Sequence, residues 1–202
     1  MQRLFRAITA AVLVLSVCGT ASAVTITFEP LVAPNGTPYA GHTEAGFTVK
    51  SLTANWFVAQ IFGNPVPDIF AGPIGEVTTS TIEVTQNTLG TFTFDMVDLA
   101  SNNGTSSRFI FNGFLGAAPV FTDTGSFPSG TGPFFFTTES NSFAALLIDR
   151  LDITLVPGGG VTSMNLDNIV VTSTVPEPAS LLLLGAGLLG GVRRWRTRQR
   201  DA

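Results

Sequence analysis

Phe92-Thr93-Phe94-Asp95-Met96-Val97-Asp98-Leu99 alternates apolar and polar residues more cleanly than any other stretch of the chain. Successive side chains of a β-strand point to opposite faces, so this alternation predicts a half-buried strand with Phe92, Phe94 and Met96 on one face. Leu151-Asp152-Ile153-Thr154-Leu155 has the same period of two. Both stretches indicate a chain built from strands.

Short segments of similar character, separated by turn-forming residues such as Pro34-Asn35-Gly36 and Asn102-Asn103-Gly104, recur along the chain. About nine short strands and no long helix predict an all-β fold, an antiparallel β-sandwich of two packed sheets. In the longest segment, 143–156, the first half lacks alternation and could begin as a short helix, although strand is favoured. The predicted strands are 24–28, 47–51, 56–62, 81–85, 90–99, 108–114, 134–138, 143–156 and 164–172.

The segment 24–174, called the body here, is strongly acidic. It contains three basic residues against twelve acidic ones, a net charge of −9 with histidine neutral. Phosphate binding needs clustered Lys and Arg, so this charge argues against nucleic acid and anionic polymers and is compatible with divalent cations or neutral glycans. The only cysteine, Cys18, precedes the body, so we expect core packing without disulfides to stabilise it.

The N-terminus has the features of a signal peptide. Arg3 and Arg6 are followed by an apolar segment, and the small residues Ala21 and Ala23 form a cleavage site, so we predict a leader helix within residues 1–23. Lipidation at Cys18 is the competing interpretation, but Val17 is larger than the residue that normally precedes a lipidated cysteine.

The C-terminus combines three features in a fixed order. The two prolines of Pro176-Glu177-Pro178 keep the backbone extended. Residues 179–192 carry no charge, and as a helix they would span roughly 21 Å, short for a bilayer core of about 30 Å. By the positive-inside rule, the arginines that follow stay cytoplasmic, so we expect everything before Val175 to lie outside the cytoplasmic membrane. These arginines are Arg193, Arg194, Arg196, Arg198 and Arg200.

This C-terminal pattern resembles the PEP-CTERM sorting domain of Gram-negative bacteria. The residues that carry the likeness are Val175, Pro176, Glu177, Pro178, Ala179 and Ser180, followed by the apolar run and the arginine cluster. The resemblance implies export, a membrane-anchored precursor with a C-terminal transmembrane helix, and processing by an exosortase at or near residues 176–178. It further implies a destination at the cell surface or in the extracellular polysaccharide matrix of a biofilm.

The body is similar to jelly-roll domains that accompany this tail, including those similar to carbohydrate-binding modules. The likeness rests on Thr25-Ile26-Thr27-Phe28-Glu29, on Gly46-Phe47 and on the segment 164–171. It implies that the first and last strands are adjacent, which would bring Glu29 near Asp167 and Asn168 as oxygen ligands for a structural Ca²⁺. Glycan binding would need exposed aromatic rings, for which Tyr39 and Trp56 are the candidates, although Trp56 lies in an apolar segment typical of a core.

Catalysis finds little support in the sequence. The only histidine, His42, lies in a predicted loop and is expected to be solvated, and no Gly-x-Ser-x-Gly elbow is present. The pairs Asp95 with Asp98 and Asp149 with Asp152 are three residues apart, so in a strand their members should face opposite sides. We therefore expect a non-enzymatic structural or adhesive protein of the matrix or cell surface. The alternatives are a carbohydrate-binding adhesin and, less favoured, a glycan hydrolase.

Overall fold

The computed structural model describes residues 22–72, 77–88, 90–130 and 135–173, and within them it contains strands and turns but no helix. Thirteen strands occur in these segments. They are β1 (Ser22–Ile26), β2 (Gly41–Glu44), β3 (Phe47–Ser51), β4 (Trp56–Ala59), β5 (Asp68–Ala71), β6 (Ser80–Gln86), β7 (Phe92–Asn102), β8 (Ser107–Leu115), β9 (Ala118–Phe127), β10 (Ser129–Gly130), β11 (Thr137–Ser140), β12 (Arg150–Val156) and β13 (Ser163–Ser173).

The strands form two sheets. The seven-stranded sheet has the order β10-β7-β13-β5-β4, with β1 also paired to β13 and β11 also paired to β7. The six-stranded sheet has the order β2-β3-β6-β12-β8-β9. All described pairs are antiparallel except β10 with β7.

The two sheets pack face to face around an aromatic core. Phe47 of the six-stranded sheet contacts Phe92 of the seven-stranded sheet edge to face, with ring centroids 5.2 Å apart, and Phe94 contacts Phe111 at 5.0 Å in the same way. All four rings are fully buried. Edge-to-face pairs contribute beyond their area burial, so phenylalanine is well suited to join the two layers.

The prediction of an all-β sandwich is confirmed, but the count of about nine strands is wrong. The sequence analysis did not find β2, β5, β9 and β10. Three of them lack a clear apolar period: β2 and β9 are the outer strands of their sheet, and β10 has two residues. An edge strand buries fewer side chains, so its sequence resembles that of a loop. The fourth, β5, is four residues long and begins with a buried aspartate.

The interpretation of 143–156 as one strand is also wrong in its first half. Residues 142–145 form a turn, Ile148 makes an isolated bridge with Phe92, and β12 begins only at Arg150. Neither the favoured strand nor the alternative helix forms there. The second half is correct, because burial alternates along the whole of β12.

A bulge in β7 breaks the alternation of the segment Phe92 to Leu99. Between the pairs Met96–Val170 and Phe94–Val171, β7 advances two residues while β13 advances one. Asp95 is therefore the extra residue, and both Phe94 and Val97 point into the core. Met96 consequently lies partly exposed on the outer face, and the prediction that it shares a face with Phe92 and Phe94 is wrong.

Both ends of the described chain meet in one sheet. Ser22 of β1 lies opposite Ser173 of β13, and the pairing continues to Ile26 opposite Ile169. The predicted sorting tail, 175–202, lies outside the described residues. So does the predicted leader, 1–23, except for Ser22 and Ala23, which form the first two positions of β1. In the part of the chain that is described, no helix has the length and apolar character to cross a bilayer.

Candidate functional site

The two aromatic residues predicted to contact glycan are both buried. Trp56 lies in the core, and its indole Nε1 donates a hydrogen bond to Thr81 O at 3.1 Å. The Tyr39 hydroxyl is 3.1 Å from Val49 O and 2.9 Å from His42 Nδ1, and burial raises the pKa of this phenol well above its ordinary value. Neither ring presents a face to solvent, which corrects the expectation that they stack on sugars.

His42 lies in strand β2 and not in a solvated loop. Its side chain is 10% exposed, and Nε2 is 3.1 Å from Glu44 Oε2. The Glu44 carboxylate also accepts hydrogen bonds from Thr27 N at 2.9 Å, Thr27 Oγ1 at 2.7 Å and Phe28 N at 2.9 Å. Burial favours the protonated form, but these hydrogen bonds outweigh it and lower the pKa of Glu44. This network fixes the end of β1, where Phe28 adopts φ 61°.

Three aspartates lie side by side on the outer face of the seven-stranded sheet. Asp98 of β7 is directly opposite Asp167 of β13. Leu166 of β13 pairs with Ile69 of β5. Because these strands are antiparallel, the next position places Asp68 of β5 beside Asp167. All three aspartates are buried. We call Asp68, Asp98 and Asp167 the aspartate row.

Amide groups satisfy most of the row. Asp167 accepts from Asn64 N at 2.6 Å and from Asn168 N at 2.8 Å. Asn168 Nδ2 donates to Asp98 Oδ2 at 3.0 Å, and Asn165 Nδ2 donates to Asp68 Oδ2 at 2.9 Å. Asp68 Oδ1 has no hydrogen-bond partner among the described residues.

Burial raises the pKa of two members of the row, Asp167 and Asp68. It raises the pKa of Asp167 to about 7 despite the hydrogen bonds from Asn64 and Asn168, and the charges of Asp98 and Glu44 act in the same direction. Burial likewise raises the pKa of Asp68 well above its ordinary range, and the Asp167 charge adds to the effect. Asp68 and Asp167 therefore bind a proton more readily than an exposed aspartate does.

The fold brings together only two of the three residues predicted to bind calcium. Strands β1 and β13 are adjacent, and Asp167 and Asn168 do lie together. Glu29, however, is exposed and lines a shallow depression with residues that include Leu31 and Gln60. The carboxylates whose charges act on Asp167 are those of Asp98 and Glu44. No group of three histidine, cysteine, aspartate or glutamate side chains in the described segments is arranged to hold a metal ion, so calcium binding stays a prediction.

The outer face of the six-stranded sheet carries a continuous polar row that the sequence analysis missed. Lys50 of β3 pairs with Glu83 of β6, Glu83 pairs with Asp152 of β12, Asp152 with Asn112 of β8, and Asn112 with Thr122 of β9. Neighbouring strands are about 4.8 Å apart, so these five residues extend over about 19 Å. We call Lys50, Glu83, Asp152, Asn112 and Thr122 the outer strip.

Arg150 and Phe114 flank the outer strip on the same face. They pair across β12 and β8, and the Arg150 guanidinium carbon lies 3.9 Å from the centroid of the Phe114 ring. Arg150 Nε is 4.0 Å from Glu83 Oε2 and 3.4 Å from Asp152 Oδ1. Burial raises the pKa of Asp152, an effect that Arg150 opposes and Glu83 reinforces.

The outer strip offers closely spaced donors and acceptors. An ammonium, two carboxylates, an amide and a hydroxyl stand in one line, and Thr122 Oγ1 donates to Asn112 Oδ1 at 2.8 Å. The other basic residue of the body, Arg108, extends from the same face of β8, so all three body cations lie on this side. The strip could not be seen in the sequence, because its members are brought together only by the register of five strands.

The carboxylate pair Asp95 and Asp98 also departs from the expectation. The bulge at Asp95 places both residues on the outer face of β7. Asp95 accepts from Thr172 Oγ1 at 2.9 Å, and Asp98 accepts from Thr138 Oγ1 at 2.6 Å. Each carboxylate is thus held by its own cross-strand hydroxyl. Asp149 precedes β12, and its carboxylate accepts a hydrogen bond from Gly116 N at 2.7 Å. It is therefore separate from Asp152, which belongs to the outer strip.

Comparisons with solved structures find β-sandwich carbohydrate-binding modules at low similarity. A family 29 module from Piromyces equi is 14% identical, with a TM-score of 0.44 over 77% of this chain and 92% of that chain. The family 32 module of C. perfringens NanJ, solved in complex with galactose, is 10% identical, with a TM-score of 0.41 over 63% and 97%. Likeness at this level assigns no ligand to this chain.

The C-terminal comparison is specific. The comparison with curated proteins found no match. The profile described as the PEP-CTERM protein-sorting motif matches residues 174–198, which contain the predicted sorting peptide, the apolar run and four of the five predicted arginines. The chain carries a PEP-CTERM protein-sorting motif, which indicates an exported protein processed at the membrane.

Proposed function

We propose that this exported protein is sorted by an exosortase and acts, without catalysis, as a polysaccharide-binding structural unit of the cell surface or biofilm matrix. The sorting motif supports the route out of the cytoplasm. The face of the six-stranded sheet supports the binding function. The buried positions of Tyr39 and Trp56 move the proposed contact surface away from the residues that the sequence suggested.

The outer strip is the observation that carries the proposal. Sugar hydroxyls both donate and accept hydrogen bonds, so they are recognised by surfaces that present both kinds of group in fixed positions. The strip does this with side chains that project from five adjacent strands, whose register fixes the spacing of their Cα atoms. Because it is an open row and not a pocket, it suits an extended polymer.

The charges of the strip favour a neutral or weakly charged glycan. Glu83 lies opposite Lys50 in the sheet, and the Arg150 guanidinium is close to both Glu83 and Asp152, so the two carboxylates offset the charge of the two cations. A polyanion would meet two carboxylates in the middle of the strip and a body charge of −9, both unfavourable. We therefore expect binding to depend weakly on salt.

The hydrolase alternative is less well supported. Glu83 and Asp152 are the directly opposed carboxylates of this face, but Arg150 contacts both of them. A glycosidase needs one carboxyl group to act as an acid and another to act on the opposite side of the scissile bond. Two carboxylates joined by one guanidinium on an open sheet face do not offer that arrangement.

Affinity electrophoresis in gels containing the bacterium's own extracellular polysaccharide tests the proposal. Secreted wild-type protein should be retarded, and Lys50→Ala and Asn112→Ala should each weaken binding by about tenfold, the effect of one lost hydrogen bond of about 1.4 kcal/mol. Glu29→Gln, which alters an exposed carboxylate outside the strip, is the matched control. Equal mobility of wild-type protein with and without polysaccharide would refute binding.

A further inference from the structure

Four large apolar side chains are exposed at one end of the sandwich. Leu115 lies at the end of β8, and Phe143, Leu146 and Leu147 lie in the turns before β12. Each is between 38 and 47% exposed. A cluster of exposed apolar side chains is typical of an interaction surface. We call these four residues the apolar end patch.

The two segments of the patch are joined by backbone hydrogen bonds. Asp149 N donates to Phe114 O at 2.9 Å, and Gly116 N donates to Asp149 Oδ2 at 2.7 Å. The turn after β8 is therefore fixed against the turns before β12. Leu115 and the residues 143–147 consequently belong to one end of the molecule.

The turns that carry the patch are firmly held. Ser142 N donates to Asp123 Oδ2 at 2.6 Å, and Asn141 Nδ2 donates to Phe94 O at 2.9 Å. The Phe143 ring stacks on Phe121 of β9, with centroids 5.6 Å apart and planes inclined by 13°. The apolar side chains are thus presented by a defined surface and not by a fraying loop.

The patch lies at the end where the chain leaves the sandwich. Ile148 exchanges two backbone hydrogen bonds with Phe92, at 2.8 and 2.9 Å. Phe92 is paired with Ser173, the last residue of β13, and Ser22 is paired with Ser173 from the other side. Gln86 Nε2 also donates to Ser173 Oγ at 2.7 Å across the two sheets. Ser173, which precedes the sorting motif, therefore lies at the same end of the sandwich as the apolar end patch.

Chain length keeps this end close to the bilayer while the tail is attached. The first leucine of the apolar run 179–192 is Leu181, eight residues after Ser173. Eight residues span at most about 28 Å when fully extended, whatever conformation they adopt. The inference rests on the proposed sorting route: while the tail is held in the membrane, the end of the sandwich that contains Ser173 stays within about 28 Å of it.

We propose that the apolar end patch docks on the membrane surface of the precursor, with Phe143, Leu146 and Leu147 entering the interface between headgroups and acyl chains. A small apolar surface binds a bilayer weakly, so docking depends on the tether and ends when the tail is cut. The body charge of −9 gives no attraction to anionic lipid. The contact is therefore apolar, and it holds the sandwich with its sorting end towards the membrane.

Spin-label accessibility in the full-length precursor tests this docking. With Cys18, the only cysteine, replaced by serine, a nitroxide is attached to Leu147→Cys or to Leu52→Cys. Leu52 is the matched control, because it is 46% exposed and Leu147 is 45% exposed. Leu52 directly follows Ser51, the last residue of β3, whereas Phe47 is at the other end of that strand. The protein is reconstituted in phosphatidylcholine vesicles, with or without phosphatidylglycerol, and vesicle-bound protein is measured.

The label at position 147 should become more accessible to oxygen and several-fold less accessible to an aqueous nickel chelate than the label at 52. Phosphatidylglycerol should leave this contrast unchanged or reduce it. Equal nickel accessibility at the two positions would refute docking. If the label at position 147 is poorly accessible to the nickel chelate even without vesicles, and becomes less accessible as the protein concentration rises, the patch instead binds a second copy of the chain. Neither result bears on glycan binding, which depends on the outer strip.

Discussion

Asp98 of β7 lies directly opposite Asp167 of β13, and both carboxyl groups are buried beneath the segment that contains Asn64. Two carboxylates at opposite positions of a ladder destabilise the sheet when both are ionised. Here Asn168 contacts both, through its backbone N to Asp167 and its Nδ2 to Asp98. The pair therefore makes the stability of the fold sensitive to pH.

Stability should fall as the pH rises from about 4 to about 7. The pKa of Asp167 is raised from 3.8 to about 7 in the folded protein, so the folded state binds the proton more tightly than the unfolded chain does. A shift of this size corresponds to about 4 kcal/mol at most. Urea unfolding at a series of pH values should give a negative slope in this window that is reduced in Asp167→Asn. An unchanged slope in that variant would contradict the assignment, and Glu29→Gln should match wild type.

Glu44→Gln should destabilise the protein by about 1.5–3 kcal/mol at pH 7, because the charged carboxylate accepts hydrogen bonds from Thr27 and Phe28. The pKa of Glu44 is lowered on folding. Its contribution is therefore present above the unfolded pKa of about 4.5 and is lost as the pH falls through the lower folded value. Urea unfolding at pH 7 and in acid measures both effects. A cost at pH 7 no greater than that of Glu29→Gln would count against the network.

Gly113→Ala should cost about 1–3 kcal/mol, because an added Cβ would overlap the ring of Phe121, the residue opposite it on β9. Gly159→Ala is the matched control, since its added Cβ would have no neighbour closer than 3.9 Å. Thermal unfolding of both variants provides the measurement. Equal melting temperatures for the two would show that Phe121 does not pack over Gly113.

Tyr39→Phe should leave polysaccharide binding unchanged while lowering stability by about 1 kcal/mol. The substitution removes the hydroxyl that contacts Val49 O and His42 Nδ1 and retains the buried ring. Affinity electrophoresis and urea unfolding of the same sample separate the two effects. Loss of retardation in a folded Tyr39→Phe variant would return the contact surface to the residue that the sequence suggested.

The sequence predicts the fold class well because alternation is a local property. Leu151 to Leu155 alternates in sequence and in burial, and it forms the predicted strand. The same reasoning fails at Met96, since nothing in the local pattern indicates that Asp95 is a bulge. It also fails for β9, whose polar residues reflect its position at a sheet edge.

The candidate sites were less predictable, because they depend on pairing between distant strands. Lys50 and Asn112 are separated by 62 positions in the chain, yet they belong to one row through the register of β3, β6, β12 and β8. Asp68 and Asp167 become neighbours in the same way. In contrast, the sorting motif is a contiguous segment, and for this reason the sequence was sufficient to identify it.

Intact-mass analysis of the protein recovered from culture medium and cell envelope tests the central claim, that both ends are removed and the sandwich remains outside the cytoplasm. The account predicts a species that begins at Val24, ends at or near residues 176–178 and lacks Arg193 to Arg200, with any attached group seen as added mass. A protein found in the cytosol at its full length, with those arginines retained, would contradict it.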